Sequence, residues 1–147
     1  MSNVTDDSQA QVNVKTLREY WTAMDRYDID AALQTLDVAC IIHIPASLPY
    51  GGTYQGHDRI RLFWMSGFFQ LYEQPEPLGL QLLVSGDYVI TLQTLKTRIR
   101  GSKNELKMPM AETFKLRDGK IVEIRPYYFD TAKMLQVFEQ GGTNASK

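Results

Sequence analysis

Glu112 is the residue whose type conflicts most with its position. The segment from Leu106 to Leu116 alternates, with Met108, Met110, Phe114 and Leu116 on one face and Lys107, Thr113, Lys115 and Arg117 on the other. Glu112 falls on the apolar face. An ionised carboxylate is very costly to bury unpaired, so such a group pairs, collects hydrogen bonds or stays protonated. Each outcome displaces its pKa, and displaced acids concentrate where proton transfer is done. A rim position or a structural ion pair is the plain alternative. Two further residues could share the chemistry. Tyr20 lies on an apolar helical stripe, where a phenol needs a hydrogen-bond partner and Glu112 would supply one. His43 ends an apolar strand beside a loop, and an imidazole titrates near neutral pH.

Other chemistry is poorly represented. His57 opens a helix and reads as a surface residue, and the two histidines lack the spacing of a metal site. Gly51–Gly56 lacks both the dinucleotide-binding glycine spacing and a following Lys-Ser/Thr pair. Arg98, Arg100, Lys103 and Lys107 form a basic hairpin tip that reads as a solvated turn. Cys40 sits in an apolar strand without the electropositive surroundings of a reactive thiol, and no G-x-S-x-G elbow is present.

The elements that must position these residues follow from periodicity. Leu17, Tyr20, Trp21 and Met24 mark one face of a helix over about 9–26. Asp28 is the expected N-cap of a short second helix carrying Ile29, Ala32, Leu33 and Leu36. Residues 40–44 read as a strand stopped by Pro45, and 45–56 as a long loop. A third helix is expected over 57–72, with Ile60, Phe63, Trp64 and Phe68 inward and Pro75 and Pro77 beyond its end. Strands then follow over 78–84, 88–100, 106–116 and 120–129, with turns at Ser85-Gly86-Asp87 and Asp118-Gly119. Pro126, on the inward side of the last strand, points to a bulge or an edge at a pocket mouth. Asp130 is placed to cap a final helix through Val137, with Gly141 past its end. Segregated helices and strands predict an α+β fold, a curved antiparallel sheet with three N-terminal helices on its concave face. One domain is expected over 12–138, with flexible tails at 1–11 and 141–147.

Composition is consistent with one globular domain of 147 residues, 44% apolar and 22% charged. A net charge of −1 provides no basic excess for nucleic acid or an anionic membrane surface, so neither is an expected partner. The single cysteine excludes an internal disulfide framework. With no secretion-type apolar segment near Met1 and no run long enough to span a bilayer, a cytoplasmic protein is expected.

Several segments resemble the SnoaL-like polyketide cyclases and ketosteroid isomerases of the nuclear-transport-factor-2-like superfamily. They are Tyr20-Trp21-x-x-Met24-x-x-x-Asp28-Ile29-Asp30-Ala31-Ala32-Leu33, His43-Ile44-Pro45, Gly52-Thr53-Tyr54-x-Gly56, Ile60-x-x-Phe63 and Glu112-Thr113-Phe114-x-Leu116-x-Asp118-Gly119-Lys120-Ile121. The resemblance implies a cone fold across most of the chain. It matches Tyr20 to the oxyanion tyrosine of ketosteroid isomerase and Glu112 to the acid that also donates to the oxyanion, roles the handling of that enzyme's carbonyl intermediate requires. The isomerase's general-base position falls on Ile44, and Trp64 stands where the isomerase has a supporting tyrosine. The acid that epoxide hydrolases and phenazine-pathway relatives place on the last strand is here Pro126. The epoxide-hydrolase arginine-x-aspartate pair is here Arg98-Ile99-Arg100.

The expected function is cofactor-independent acid/base chemistry (isomerisation, cyclisation or dehydration) on a small hydrophobic carbonyl compound. Tyr20 and Glu112 would stabilise an oxyanion, or Glu112 would be the base, with His43 as the second candidate base. Tyr50, Tyr54, Trp64 and Tyr128 are expected to form an aromatic pocket lining, completed by Ile44, Phe63, Leu95, Met110, Phe114 and Pro126, with the 45–56 loop as a candidate lid. No metal or cofactor is expected. A non-catalytic binding module and a purely structural homodimer are the alternatives, and a homodimer is expected in either case.

Overall fold

The structure is a computed structural model that describes residues 7–145. Helix α1 spans Asp7–Asp25 and buries Leu17 and Tyr20 of the predicted stripe together with Ala23, while Trp21 and Met24 of that stripe are partly buried against the core. Helix α2 (Ile29–Gln34) begins at Asp28, whose carboxylate accepts from the Ala31 N–H at 3.1 Å. Strand β1 (Leu36–Ile44) is followed by a tight turn and β2 (Gly52–Gln55). Helix α3 (His57–Phe63) continues as a π-helical segment (Trp64–Phe68) and a last short turn, α4 (Phe69–Leu71). Four long strands follow: β3 (Tyr72–Ser85), β4 (Tyr88–Ile99), β5 (Glu105–Arg117) and β6 (Lys120–Tyr128). Helix α5 (Thr131–Ala145) closes the described chain.

The architecture is α+β. Its curved, unclosed sheet has six strands in the order β2-β1-β6-β5-β4-β3. Every pair is antiparallel except β1 with β6, which is parallel because the whole helix–meander excursion separates them in sequence. Asp118 and Gly119 take φ of 52° and 75°, the two left-handed positions that a tight β5–β6 hairpin requires. One apolar core joins Leu17 and Tyr20 of α1, Ile42 of β1, Ile60 of α3 and Phe114 of β5.

Several boundaries differ from those read in the sequence. Strand β1 starts at Leu36 rather than residue 40. A register shift against β6 between Leu36 and Ile41 lets half-buried Asp37 and exposed Val38 and Ala39 bulge outward. The 45–56 segment is no open loop: Leu48 and Tyr50 are buried, and β2 pairs with β1. A Cβ on Gly51 would collide with the Pro45 carbonyl, so this turn requires glycine. The helix expected to reach residue 72 breaks into three pieces, and Tyr72 already belongs to β3. Pro75 and Pro77 lie within β3 instead of ending a helix. The strand tolerates them because it is the sheet's edge and its register shifts between Glu73 and Glu76 and again between Leu78 and Gln81.

The expected tails are also shorter. Residues 7–11 are helical, and α5 runs through Gly141 and Gly142, since glycine weakens a helix by about 1 kcal/mol without forbidding it. The remaining tail residues, 1–6 and 146–147, lie outside the described residues. Asp130 caps α5 as predicted, accepting from the Lys133 N–H at 3.1 Å.

Candidate active site

The inner face of the sheet is ordered in rows. Val89, Phe114 and Ile124 stand in register on β4, β5 and β6, then Thr91, Glu112 and Pro126, then Gln93, Met110 and Tyr128. Above these rows the helices enclose a cavity of about 710 Å³, within the range of small-molecule sites. Its walls are mostly apolar: Ile42 and Ile44 from β1, Phe63, Trp64 and Phe68 from α3 and the π-helical segment, and Leu95 from β4. The π-helical segment turns Trp64 and Phe68 towards the same space, five-residue hydrogen bonding shifting the phase of the stripe.

Glu112 enters this cavity from the middle of β5. Its carboxyl has no hydrogen-bond or ion-pair partner among the described residues, and burial pushes its pKa up from 4.5 to about 7. The accessible surface it retains is consistent with its place in the cavity wall. Tyr20, from α1, lines the same cavity, wedged against Phe114 and Trp21 at ring separations of 5.3 and 5.6 Å. Burial, and then the neighbouring Glu112 charge, raise the Tyr20 pKa well above that of a free phenol. Tyr128 is also raised, first by burial, with Glu112 a smaller contributor. The structure thus brings together one near-neutral acid and two phenols that stay protonated.

Not every residue expected at the site reaches it. His43 does not line the cavity. Strand alternation sends Ile42 and Ile44 inward and His43 to the opposite face, where its Nε2 lies 3.8 Å from Glu123. No bulge before Pro45 turns it back. Tyr50, Tyr54 and Phe114, expected as lining, stand one layer behind. Tyr54 stacks on Phe63 at 4.4 Å and donates to the Tyr50 carbonyl, while Phe114 is buried beneath Tyr20. Ile44, Phe63, Trp64, Leu95, Met110, Pro126 and Tyr128 do line the cavity. Pro126 sits past the last pairing of β1 with β6, Ile42 with Ile124, where a missing N–H breaks no ladder bond. The mouth lies away from the 45–56 turn. Exposed Asp25, the last residue of α1, and Tyr27 beyond it face Gln74–Pro77 of β3, and Tyr27 packs edge-on against Phe69 at 5.1 Å. Tyr27 and Gln74 both have positive φ, 57° and 47°, strain that non-glycine residues adopt only when packing holds them.

Sequence reasoning missed Trp21 and Gln93. Both line the cavity, and the Trp21 Nε1 and Gln93 Oε1 atoms are buried without partners among the described residues. The alternation that exposed Glu112 also places Gln93 on the inward face with Val89 and Leu95. Among the described residues no three His, Cys, Asp or Glu side chains group as metal ligands. Burial pushes the Cys40 thiol up to about 12, so it offers no thiolate near neutral pH.

The SnoaL-like domain model matches residues 17–124, most of the chain, from the second half of α1 to the middle of β6. The chain belongs to the SnoaL-like domain family. Similar solved structures share the cone fold. A nuclear-transport-factor-2-like protein from Burkholderia xenovorans superposes with a TM-score of 0.78 at 20% identity, covering 87% of this chain and 96% of that one. A Catenulispora acidiphila protein of ketosteroid isomerase-like fold, in complex with trimethylamine, gives 0.69 at 18% identity, covering 95% of each chain. A proposed polyketide cyclase from Xanthomonas campestris gives 0.73 at 17% identity, covering 92% of this chain and 98% of that one. No curated protein matches the chain in sequence. No helix among the described residues of this SnoaL-like domain is long and apolar enough to cross a membrane.

Proposed function

We propose that this SnoaL-like domain catalyses proton transfer on a small hydrophobic carbonyl compound without a cofactor, with Glu112 as the acid/base group. The observation that carries the reading is the unpartnered Glu112 carboxyl inside an apolar cavity, its pKa raised to about 7. A group with a pKa near the working pH is present in both protonation states and can take a proton and return it. Glu112 would remove a proton from the carbon beside the carbonyl. Tyr20 would donate to the oxygen on which negative charge develops, and Glu112 would return the proton to carbon. His43 has no part in this, because it lies across the sheet. The ketosteroid isomerase-like and polyketide cyclase neighbours support the choice of reaction class.

The decisive experiment is proton–deuterium exchange at the α-carbons of a panel of hydrophobic cyclic ketones, followed by NMR in heavy water. The wild type is expected to accelerate exchange for at least one ketone. Glu112→Gln is expected to lower that rate by about 10²–10⁴-fold with ligand affinity retained. Ligands that bind without any exchange would instead identify a binding module, a reading favoured by the apolar Ile44 and Pro126 in the cavity wall.

The outer face of the sheet supports a homodimer. Leu92, Ala111 and Tyr127 stand in register there, with exposed Phe129 beside them around a shallow hollow. Sedimentation is expected to give twice the monomer mass, and Leu92→Glu with Tyr127→Glu to give the monomer. A wild-type monomer across the micromolar range would exclude this arrangement.

A further inference from the structure

Three tyrosines converge behind one cavity wall. Tyr128 lines the cavity from β6. Tyr50, from the turn after β1, and Tyr72, the first residue of β3, are 5% and 1% exposed. Their hydroxyls form a chain: Tyr72 to Tyr50 at 2.5 Å and Tyr50 to Tyr128 at 3.3 Å. Phe138 of α5 packs edge-on against both Tyr50 and Tyr72 at 6.1 and 5.8 Å, which fixes the two rings.

The direction of this chain follows from counting protons. Three hydroxyls carry three protons, and the two bonds consume two. If Tyr128 donated to Tyr50 and Tyr50 to Tyr72, the spare proton would sit on Tyr72. Among the described residues the Tyr72 hydroxyl has no hydrogen-bond partner but Tyr50. If both outer tyrosines donated to Tyr50, the spare proton would sit on Tyr50, equally enclosed. A buried donor without an acceptor is the costly arrangement. Only the third direction, Tyr72 to Tyr50 to Tyr128, leaves the spare proton at the cavity surface.

From this geometry we infer that Tyr128 presents its hydroxyl proton to the cavity as a preset donor for an acceptor-only oxygen, a ketone or its enolate. Tyr50 and Tyr72 are positioning residues. Each donation along the chain polarises the next hydroxyl, so Tyr128 is a stronger donor than an isolated phenol. Burial keeps all three phenols protonated, as this role needs. The inference rests on reading the cavity as a carbonyl-ligand site, with Tyr128 the donor to the bound ketone and Tyr20 the donor to the charge that develops during proton transfer.

The test compares 1-tetralone with tetralin, the same ring system without the oxygen, by calorimetry. The wild type is expected to prefer the ketone by several-fold, up to about tenfold, the range of one net hydrogen bond. Tyr128→Phe should abolish most of that preference while tetralin binding stays within about twofold. Tyr50→Phe should release the Tyr128 hydroxyl to rotate and halve the preference or more, again sparing tetralin; a merely structural role would weaken both ligands together. Should Tyr50→Phe fail to fold, wild-type protein labelled at the tyrosine ring carbon bearing the hydroxyl supplies the second measurement. Tetralone should then shift the Tyr128 resonance and, less strongly, that of Tyr50. Equal wild-type affinity for the two ligands, or a ketone preference that survives Tyr128→Phe, overturns the inference. Binding of neither ligand overturns the carbonyl-site reading as well. A ketone preference without α-carbon exchange overturns only the catalytic reading.

Discussion

Glu112 on β5 lies in register with Pro126 on β6, and this pairing helps explain how a carboxyl is buried without a partner. The proline ring offers neither a donor nor a charge. On the other side stands Thr91, and Phe114 and Met110 flank Glu112 along its own face. Among the described residues no charge or hydrogen-bond donor is paired with the carboxyl, and desolvation raises its pKa. A carbon-detected NMR titration, assigned with Glu112→Gln, is expected to give an apparent pKa of about 7. Pro126→Lys, which sets a cation beside the carboxyl, should bring it down by about one unit or more. A wild-type value near 4.5 would remove the basis for Glu112 as a base.

The same displacement makes stability depend on pH. Glu112 holds its proton more tightly folded than unfolded, so between about 4.5 and 7 the folded state binds more protons. Stability from this group is present at or below about pH 4.5, declines as pH rises through about 7, and then levels off. The loss is a few kcal/mol at most. Thermal melts of Glu112→Gln should match the wild type near pH 4.5 and exceed it at pH 8. Parallel curves at all pH values would contradict the burial.

His43 separates the sequence reading from the structural one. It faces Glu123 outside the cavity in a partly exposed contact. His43→Ala is expected to leave tetralone affinity and α-carbon exchange within about twofold. Unfolding free energy should change by at most about 1 kcal/mol, as for exposed ion pairs. A hundredfold loss of exchange would restore it as a base.

Phe114 supports Tyr20 from beneath and is itself fully buried. Phe114→Ala should cost about 3–5 kcal/mol in denaturant unfolding. A cost below 1 kcal/mol would mean that this part of the core collapses around the deletion.

Much of the fold was legible because it depends on local periodicity. The α1 stripe, the Asp28 and Asp130 caps and the Asp118-Gly119 hairpin each follow from residues a few positions apart. The 57–71 region was less legible. Its apolar stripe suits one continuous helix, and the π-helical phase shift answers to contacts with distant strands. The edge prolines of β3 misled for a related reason: proline ends helices in general but is tolerated on an edge strand with register shifts, and edge status is a property of the whole sheet.

The sequence by itself determined that Glu112 faces the apolar side of its strand, that Tyr20 lies on the buried stripe of α1, and which elements carry them. Period-2 and period-3.6 patterns assign a side chain to a face without reference to anything distant. Only the tertiary structure decided which of those faces bound a common cavity. It sent His43 to the far side, drew Gln93 and Trp21 in, and joined Tyr50, Tyr72 and Tyr128 from three separate segments into one hydroxyl chain. Such contacts arise from sheet curvature and strand order, which bring together residues up to 78 positions apart that no local pattern relates.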